Sequence, residues 1–217
     1  MDEEDRMIQE RHHMVASQIA TRDIDDPLVL DAMRSVPRHA FVPQEVRHLA
    51  YNDGPLPIGL GQTISQPYIV ALMTQLLELK GEETVLEIGT GSGYQSAILA
   101  KLVRKVHTIE RHSDLAQVSA RILKDLGYLN VEVHTGDGSI GLDAFAPYDA
   151  ILVTAAAPAV PTALLNQLSP GGKLVLPVGG RYEQYLERWA RVDNHFSNER
   201  IVPVAFVPLI GELGWKG

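Results

Sequence analysis

The fold of this chain is decided by the stretch Thr84-Val85-Leu86-Glu87-Ile88-Gly89-Thr90-Gly91-Ser92-Gly93-Tyr94. Its apolar run, residues 85–88, predicts a buried strand that leads into three glycines spaced at every second residue. Beyond them, apolar residues recur at helical spacing, at Ala97, Ile98, Leu99 and Leu102. The stretch predicts a strand, a tight turn and a helix, where a nucleotide-like ligand can lie against bare backbone N–H groups.

The glycine spacing distinguishes between nucleotide cofactors. A dinucleotide fingerprint, G-x-G-x-x-G, requires a third glycine where this chain has Tyr94, and Gly93 comes one residue too early. This departure disfavours a nicotinamide dehydrogenase. The pattern E-x-G-x-G-x-G, with Glu87 inside it, favours a nucleoside without a pyrophosphate, and S-adenosylmethionine is the common case. The alternative is that the glycines only shape a loop.

Composition narrows the class of protein. The hydrophobic fraction of 45% and the charged fraction of 21% are typical of a globular chain, and the net charge of −8 argues against nucleic-acid binding. The acidic start, residues 2–5, lacks the basic and apolar parts of a secretory signal. The most apolar segment, residues 150–165, is too short to span a membrane and contains two prolines. Cysteine is absent. We expect a cytoplasmic protein without membrane partners.

Helical periodicity dominates the first third of the chain, and alternating strands and helices follow from Thr84. A helix is predicted to begin after Gln66, and a Gly/Pro-rich loop precedes it at residues 53–61. Five strands are predicted at residues 85–88, 106–110, 131–134, 150–153 and 174–178, with a helix at 115–126 and a turn at 169–172. Two further strands, 185–192 and 201–210, should pair antiparallel.

This pattern predicts an α/β fold, doubly wound, with a mostly parallel seven-stranded sheet of the Rossmann-like methyltransferase type and an N-terminal helical extension. We expect one domain over residues 1–217. Residues 1–78 would form the helices and substrate loop, 79–180 the cofactor-binding core, and 181–217 the C-terminal strands and substrate edge. Ligands in such sheets bind beyond the carboxyl ends of the strands, so site residues should follow strands.

Three acidic residues are candidates for the cofactor site. Glu110 ends the second predicted strand and could accept hydrogen bonds from both ribose hydroxyls; otherwise it is a helix N-terminal acid. Asp137, flanked by glycines, could accept from the adenine amine; otherwise Asp137-Gly138 is an ordinary turn. Glu87 could stay buried behind the glycine turn, hold N–H groups of the loop and face the cationic end of the cofactor. Three acids suit a sulfonium better than a pyrophosphate.

A second dense motif is Gly59-Leu60-Gly61-Gln62-Thr63-Ile64-Ser65-Gln66-Pro67. It combines flexible backbone, hydroxyls and amides immediately before the predicted helix. Such a loop can bind an anionic group through Ser65 Oγ and the free N–H groups of the helix start, and its length suggests a substrate lid. The simpler alternative is that Ser65 caps the helix.

These residues resemble a known family, the protein-L-isoaspartate (D-aspartate) O-methyltransferases. The specific likeness is in Leu56-Pro57-Ile58-Gly59 followed by Gly61-Gln62-Thr63-Ile64-Ser65-Gln66-Pro67. It extends in the expected order over most of the chain, through residues 36–38, 41–43, 86–95, 148–158, 168–172 and 202–211. The departures are Leu142, where an aromatic residue is common, and residues 181–200, which match the family pattern poorly.

The resemblance implies methyl transfer from S-adenosylmethionine, with S-adenosylhomocysteine as product, to the α-carboxylate of L-isoaspartyl residues and more weakly to D-aspartyl residues. The ester then closes to a succinimide, which begins repair of damaged proteins and peptides. Ser65 would be the active-site residue near the acceptor. The implied cofactor-binding residues are Gln62, Thr63, Ile64, Ser65, Glu87, Gly89, Thr90, Gly91, Gly93, Tyr94, Glu110, Asp137 and Gly138. The implied substrate-binding residues are Ile58, Ser65, Val207, Pro208 and Leu209.

The chemistry requires little from the protein besides positioning. A carboxylate with a pKa of about 3.5 to 4 is already ionised at neutral pH and needs no general base. The eight histidines show no metal-ligand spacing, so no metal site is expected. Two other hypotheses stay open: a different methyltransferase with the same cofactor domain, and a non-catalytic S-adenosylmethionine-binding module. We expect a monomer.

Overall fold

The computed structural model describes residues 2–193 and 195–216. The chain starts with α1, Glu3–Met14, whose N-terminus is capped by the Asp2 carboxylate, and continues as one π-helical turn, Val15–Ile19. The next helix, α2, is Pro27–Ser35, capped by the Asp26 carboxylate, which accepts from the Leu28 amide. The predicted N-terminal helices are therefore present.

Two short 3-10 helices, Arg38–Phe41 and Gln44–Leu49, lead to a hairpin made of β1, Leu56–Gly59, and β2, Gln62–Ile64. The prediction of an unpaired loop at residues 53–61 is therefore wrong in its second half. The cause is local, since Leu60 and Gly61 both have positive φ, as a two-residue hairpin turn requires. Helix α3, Pro67–Gln75, follows and begins after Gln66 as predicted.

The central sheet has seven strands in the order β5-β4-β3-β6-β7-β8-β9. The first five are parallel, and β8 and β9 are antiparallel to their neighbours. Their bounds are Thr84–Ile88 for β3, Lys105–Glu110 for β4, Val131–Thr135 for β5, Tyr148–Val153 for β6, Leu168–Gly179 for β7, Gln184–Val192 for β8 and His195–Val204 for β9. The fold class predicted from the sequence is confirmed.

Three further helices connect the strands: α4, Tyr94–Ala100, α5, Ser113–Asp125, and α6, Thr162–Asn166. Alternate residues of β3 enter two different cores: Val85 packs on the side of α1 to α5, and Leu86 on the side of α6. Both faces of the sheet are covered, which explains why successive residues of the central strand β6, 150–153, are all apolar and buried. Among the described residues, no helix is long and apolar enough to cross a bilayer.

Two boundary predictions are wrong. The predicted turn at 169–172 lies inside β7, where the pairing shifts between Leu168 and Lys173 and Gly171 has positive φ. The strand predicted at 201–210 begins earlier and ends at Val204. Residues after Val204 leave the sheet edge because they bond elsewhere: the Ala156 amide donates to the Val207 carbonyl at 2.8 Å.

Candidate functional site

The glycine turn lies where the sheet changes winding direction, because β3 has β4 on one side and β6 on the other. Gly89 has φ of +94°, and a Cβ on it would lie 2.3 Å from Thr154 Oγ1. Gly93 has φ of +88° and directly precedes α4, and a Cβ there would lie 3.3 Å from Leu123. Gly89 therefore requires glycine for conformation and for space, and Gly93 requires it for conformation.

Glu110 holds this turn in place. Its two carboxylate oxygens accept from the amides of Gly91, at 2.9 Å, and His112, at 3.0 Å. The prediction that Glu87 holds the loop amides is therefore wrong, because the amides of Gly91 and His112 donate to Glu110. Glu110 is buried yet borders the cleft beyond the strand ends. Each carboxylate oxygen can accept a second bond, so a ligand hydroxyl can still bind there.

Glu87 lies beneath the turn and does not border the cleft. It is fully buried, it accepts from the Ser96 hydroxyl, and its Oε1 has no partner within the described part of the chain. Burial raises the pKa of Glu87 to about 8, so the side chain is neutral at pH 7. Glu87 therefore does not contribute a negative charge to the pocket, contrary to the prediction.

Asp137 also lies outside the lining of the cleft. Its Oδ1 accepts from the amide and the hydroxyl of Ser139, at 2.9 and 2.7 Å, and its Oδ2 accepts from the Glu212 amide at 2.7 Å. The carboxylate thus fastens the C-terminal segment. Gly138 does border the cleft, and a Cβ on it would lie 2.5 Å from Ile88 Cγ2. The adenine contact of Asp137 stays a prediction.

Tyr94 contributes to the cleft mainly through packing. Its ring is buried, its edge meets the ring of Phe41, and the guanidinium of Arg38 lies 5.0 Å from its centroid. Arg38 is itself fully buried and donates to the Ala50 carbonyl at 2.8 Å. Burial lowers the pKa of Arg38 to about 10, which leaves it charged at neutral pH. The N-terminal region is thereby joined to the start of α4.

The structure brings most of the predicted site residues around one cleft. The predicted residues that line it are Gln62, Thr63, Ile64, Ser65, Gly89, Thr90, Gly91, Tyr94, Glu110, Gly138, Val207, Pro208 and Leu209. Four predicted residues do not line it: Ile58, Glu87, Gly93 and Asp137. Ile58 nevertheless lies close to the glycine turn, since a Cβ on Gly91 would meet its Cδ1 at 3.5 Å. The hairpin therefore packs on the turn.

Sequence reasoning missed several lining residues, namely Val70, Ile88, Ser92, Gln95, Ile109, Arg111, His112, Thr154, Ala155 and Ile210. Thr154 is the most informative of these. Its hydroxyl donates to the carbonyl of Gly89 at 2.7 Å, which fixes the turn against the end of β6. Its position directly after a predicted strand was a usable signal.

A second cleft adjoins the first on the side of the hairpin and the C-terminal strands. The two share Thr63, Ser65, Thr154 and Val207. The second cleft is otherwise lined by uncharged residues: Pro55, Gln66, Ile69, Pro203, Val204, Ala205 and Phe206. Ser65 thus borders both clefts. It lies just before α3, whose N-terminus has no side-chain cap, so the alternative that Ser65 caps this helix is wrong.

Comparison with known proteins identifies the family. The sequence model described as Protein-L-isoaspartate(D-aspartate) O-methyltransferase matches residues 9–214. The chain belongs to this family. A protein-L-isoaspartate O-methyltransferase from Syntrophus aciditrophicus is 53% identical over 216 residues, covering 98% of this chain and 99% of the relative. Another from Trichlorobacter lovleyi is 55% identical over 207 residues, covering 95% of each. The resemblance predicted from the sequence is confirmed.

The family fold is also found among solved structures. The crystal structure of a protein-L-isoaspartate O-methyltransferase from Plasmodium falciparum, in complex with S-adenosyl-L-homocysteine, has 27% sequence identity and a TM-score of 0.81. The match covers 92% of this chain and 98% of that one. The similarity therefore extends well beyond the cofactor-binding core.

Proposed function

We propose that this protein transfers a methyl group from S-adenosylmethionine to the α-carboxylate of L-isoaspartyl residues, and more weakly to D-aspartyl residues, in damaged proteins and peptides. The resulting ester would close to a succinimide and so begin repair. Family membership confirms the methyltransferase class and the cofactor predicted from the sequence. The observation that carries the residue assignment is the position of Ser65 between two adjoining clefts.

The first cleft fits the cofactor. Gly89 and Gly138 border it, and a Cβ on either would overlap Thr154 or Ile88, so only glycine fits at these two points of the lining. Glu110 keeps lone pairs free for the ribose hydroxyls while its bonds to two amides hold the carboxylate still. The cofactor, when bound, supplies a methyl group made electrophilic by the sulfonium.

The second cleft would hold the acceptor. Its lining is uncharged, which permits removal of water from a carboxylate that is already ionised at neutral pH. Ser65 Oγ and the uncapped start of α3 would bind that carboxylate, since the positive end of a helix favours an anion. Ser65 is thus proposed as a positioning donor and not as a covalent nucleophile.

The C-terminal segment would receive the peptide backbone. Val207 borders both clefts, and Val207 and Leu209 are fixed by bonds of their backbone to Ala156, each at 2.8 Å. A fixed segment lowers the entropic cost of ordering a bound peptide. The β1–β2 hairpin would cover the acceptor. Alignment of the carboxylate oxygen with the methyl group can supply roughly 7 to 11 kcal/mol of the barrier reduction.

The test is transfer of a radiolabelled methyl group to an isoaspartyl peptide and to its aspartyl twin of identical sequence. We expect base-labile label on the isoaspartyl peptide and none above background on the twin. Folded protein that binds S-adenosylhomocysteine yet labels neither peptide, or labels both equally, would contradict the proposed substrate.

Further parts of the proposal rest on the sequence. They are the cytoplasmic location, the monomeric state, the absence of nucleic-acid partners and the division of one domain at residues 78 and 180. Size-exclusion chromatography with light scattering tests the monomeric state, for which a mass near 23.8 kDa is expected.

A further inference from the structure

A cluster of two imidazoles and a carboxylate lies outside both clefts. His107 is on β4, and Glu132 and His134 are on β5, an edge strand of the sheet. His107 Nδ1 lies 3.2 Å from His134 Nε2, and oxygens of Glu132 lie 3.8 Å from each of these nitrogens. One atom from each side chain falls within 4.8 Å of the others.

Strand register brings these residues together. His107 pairs with Glu132, and Ile109 pairs with His134, in the parallel ladder of β4 and β5. Residues two apart on a strand share a face, so the three side chains emerge on the same side of the sheet. The linear spacing of histidines does not show this, because the ligands come from two strands.

The nitrogen spacing suits a tetrahedral metal ion. Zn²⁺ binds imidazole nitrogens at about 2.0–2.1 Å, which places two such nitrogens about 3.3 Å apart, near the observed 3.2 Å. The carboxylate of Glu132 must approach by about half an ångström to complete a three-ligand set. Its side chain is 45% exposed and can make that movement.

The surroundings hold the rings without blocking the nitrogens. Phe145 stacks on His107 with centroids 4.2 Å apart and planes 21° from parallel. A stacked ring leaves the lone pair in the plane of the imidazole accessible. Lys105 Nζ lies 3.0 Å from Glu132 Oε2 and leaves Oε1 for a ligand. The positive charge of Lys105 also lies beside the candidate site and would repel a bound cation.

We propose that His107, Glu132 and His134 bind a divalent transition-metal ion of the zinc class and so join β4 to the edge strand β5. Solvent or an external ligand would occupy the fourth position. The site is independent of methyl transfer. It departs from the expectation that the histidines of this chain form no metal site.

The test is calorimetric titration of the metal-free full-length protein with ZnCl₂. We expect saturable binding at one equivalent. His134→Gln and Glu132→Gln should each weaken the affinity at least about tenfold, as loss of one ligand from a small set does. The matched control replaces His12 and His13, both exposed on α1, with glutamine and should leave the affinity unchanged.

Lys105→Gln provides a test in the opposite direction. It removes a positive charge beside the site and should tighten zinc binding at least about twofold. Zinc should raise the melting temperature of the wild type more than that of His134→Gln at the same zinc concentration. Melting in chelator first verifies that the variant folds; if it does not, the more exposed Glu132→Gln gives the same readout. Absence of a one-equivalent site, or equal affinity in Glu132→Gln, would overturn the proposal.

Discussion

Two glycine-rich segments meet at the site, and their glycines are needed for different reasons. At the turn after β3, a Cβ on Gly89 would lie 2.3 Å from Thr154, so both the space and the conformation exclude a side chain. In the β1–β2 hairpin, Gly59 and Gly61 have positive φ, but among the described residues, adjacent ones aside, no atom lies within 4 Å of a Cβ on either. The turn is part of the core, and the hairpin is shaped by its own backbone.

This contrast predicts how each half of the site responds to change. Substitutions in the turn must disturb the sheet and the methyl-donor cleft together. Substitutions of the hairpin glycines should cost only local conformational energy and leave the donor cleft intact. The variants below test that separation, from the largest expected effect to the smallest.

Gly89→Ala should have the largest effect. Left-handed backbone costs a non-glycine residue about 1–2 kcal/mol. The new Cβ would also displace the Thr154 hydroxyl, which would lose its hydrogen bonds to the carbonyls of Ile88 and Gly89, each contributing about 1 kcal/mol. We expect a loss of about 3 kcal/mol in the free energy of unfolding and loss of measurable S-adenosylhomocysteine binding. Denaturant unfolding and calorimetry measure the two.

Gly127→Ala is the matched control, because Gly127 has φ of +83° and open space at its Cβ position. Its free energy of unfolding should fall only by the conformational cost of about 1–2 kcal/mol, and its cofactor affinity should equal that of the wild type. Equal behaviour of the two variants would show that the contact with Thr154 is unimportant.

Glu87→Gln should change how stability depends on pH. Because the folded-state pKa of Glu87 is raised to about 8, the wild type loses stability as pH rises from the unfolded value of 4.5 towards 8. Below that window both states are protonated, and no difference arises. The glutamine variant lacks this loss, so its advantage should grow to a few kcal/mol by pH 8. Urea unfolding at pH 5 and pH 8 measures the difference in stability between the two proteins. The same difference at both pH values would contradict a buried, protonated Glu87.

Glu110→Ala should lower the affinity for the cofactor and leave the acceptor cleft unchanged. It removes the proposed ribose contacts and the acceptors for the amides of Gly91 and His112. Hydrogen bonds to a charged group contribute about 1.5–3 kcal/mol, so the affinity for S-adenosylhomocysteine should fall roughly tenfold to a hundredfold. Glu110→Gln keeps one acceptor oxygen, so its cofactor affinity should lie between those of the wild type and Glu110→Ala. Unchanged cofactor binding in Glu110→Ala would refute the assignment of Glu110 to the ribose.

Gly61→Ala should have the smallest effect. Its φ of +70° costs an alanine about 1–2 kcal/mol, and the surrounding space is open. Cofactor affinity should stay within error of the wild type. A loss of affinity comparable to that of Gly89→Ala would show that the hairpin supports the donor cleft, against the proposed separation.

Local patterns predicted the elements that depend on local chemistry. The strand at β3, its glycine turn and the five parallel strands follow from apolar runs and glycine spacing, and the structure confirms them. The acceptor side around Ser65 was predicted from the family motif and stays a prediction. These features leave a signal in contiguous sequence because neighbouring residues produce them.

Features that depend on tertiary contacts were missed or misassigned. Asp137 bonds to Glu212, which is 75 residues away in the chain, and no local pattern could indicate that partner. Glu87 and Glu110 are both buried, but only Glu110 borders the cleft and accepts from loop amides, whereas Glu87 lies beneath the turn and is neutral at pH 7. The prediction of a strand over 201–210 was wrong at its C-terminal end, because Val207 and Leu209 form backbone hydrogen bonds with Ala156 instead of continuing along the sheet.

The central claim is that Ser65 positions the acceptor where the two clefts meet. Its most direct test compares Ser65→Ala with the wild type in single-turnover methylation of an isoaspartyl peptide and in S-adenosylhomocysteine binding. We expect the rate to fall at least about tenfold, with cofactor affinity within about twofold, because the lost hydrogen bond is made to the charged acceptor. Ser197→Ala, an exposed serine on β9, should change neither quantity. Equal losses of rate and cofactor affinity in Ser65→Ala would contradict the claim.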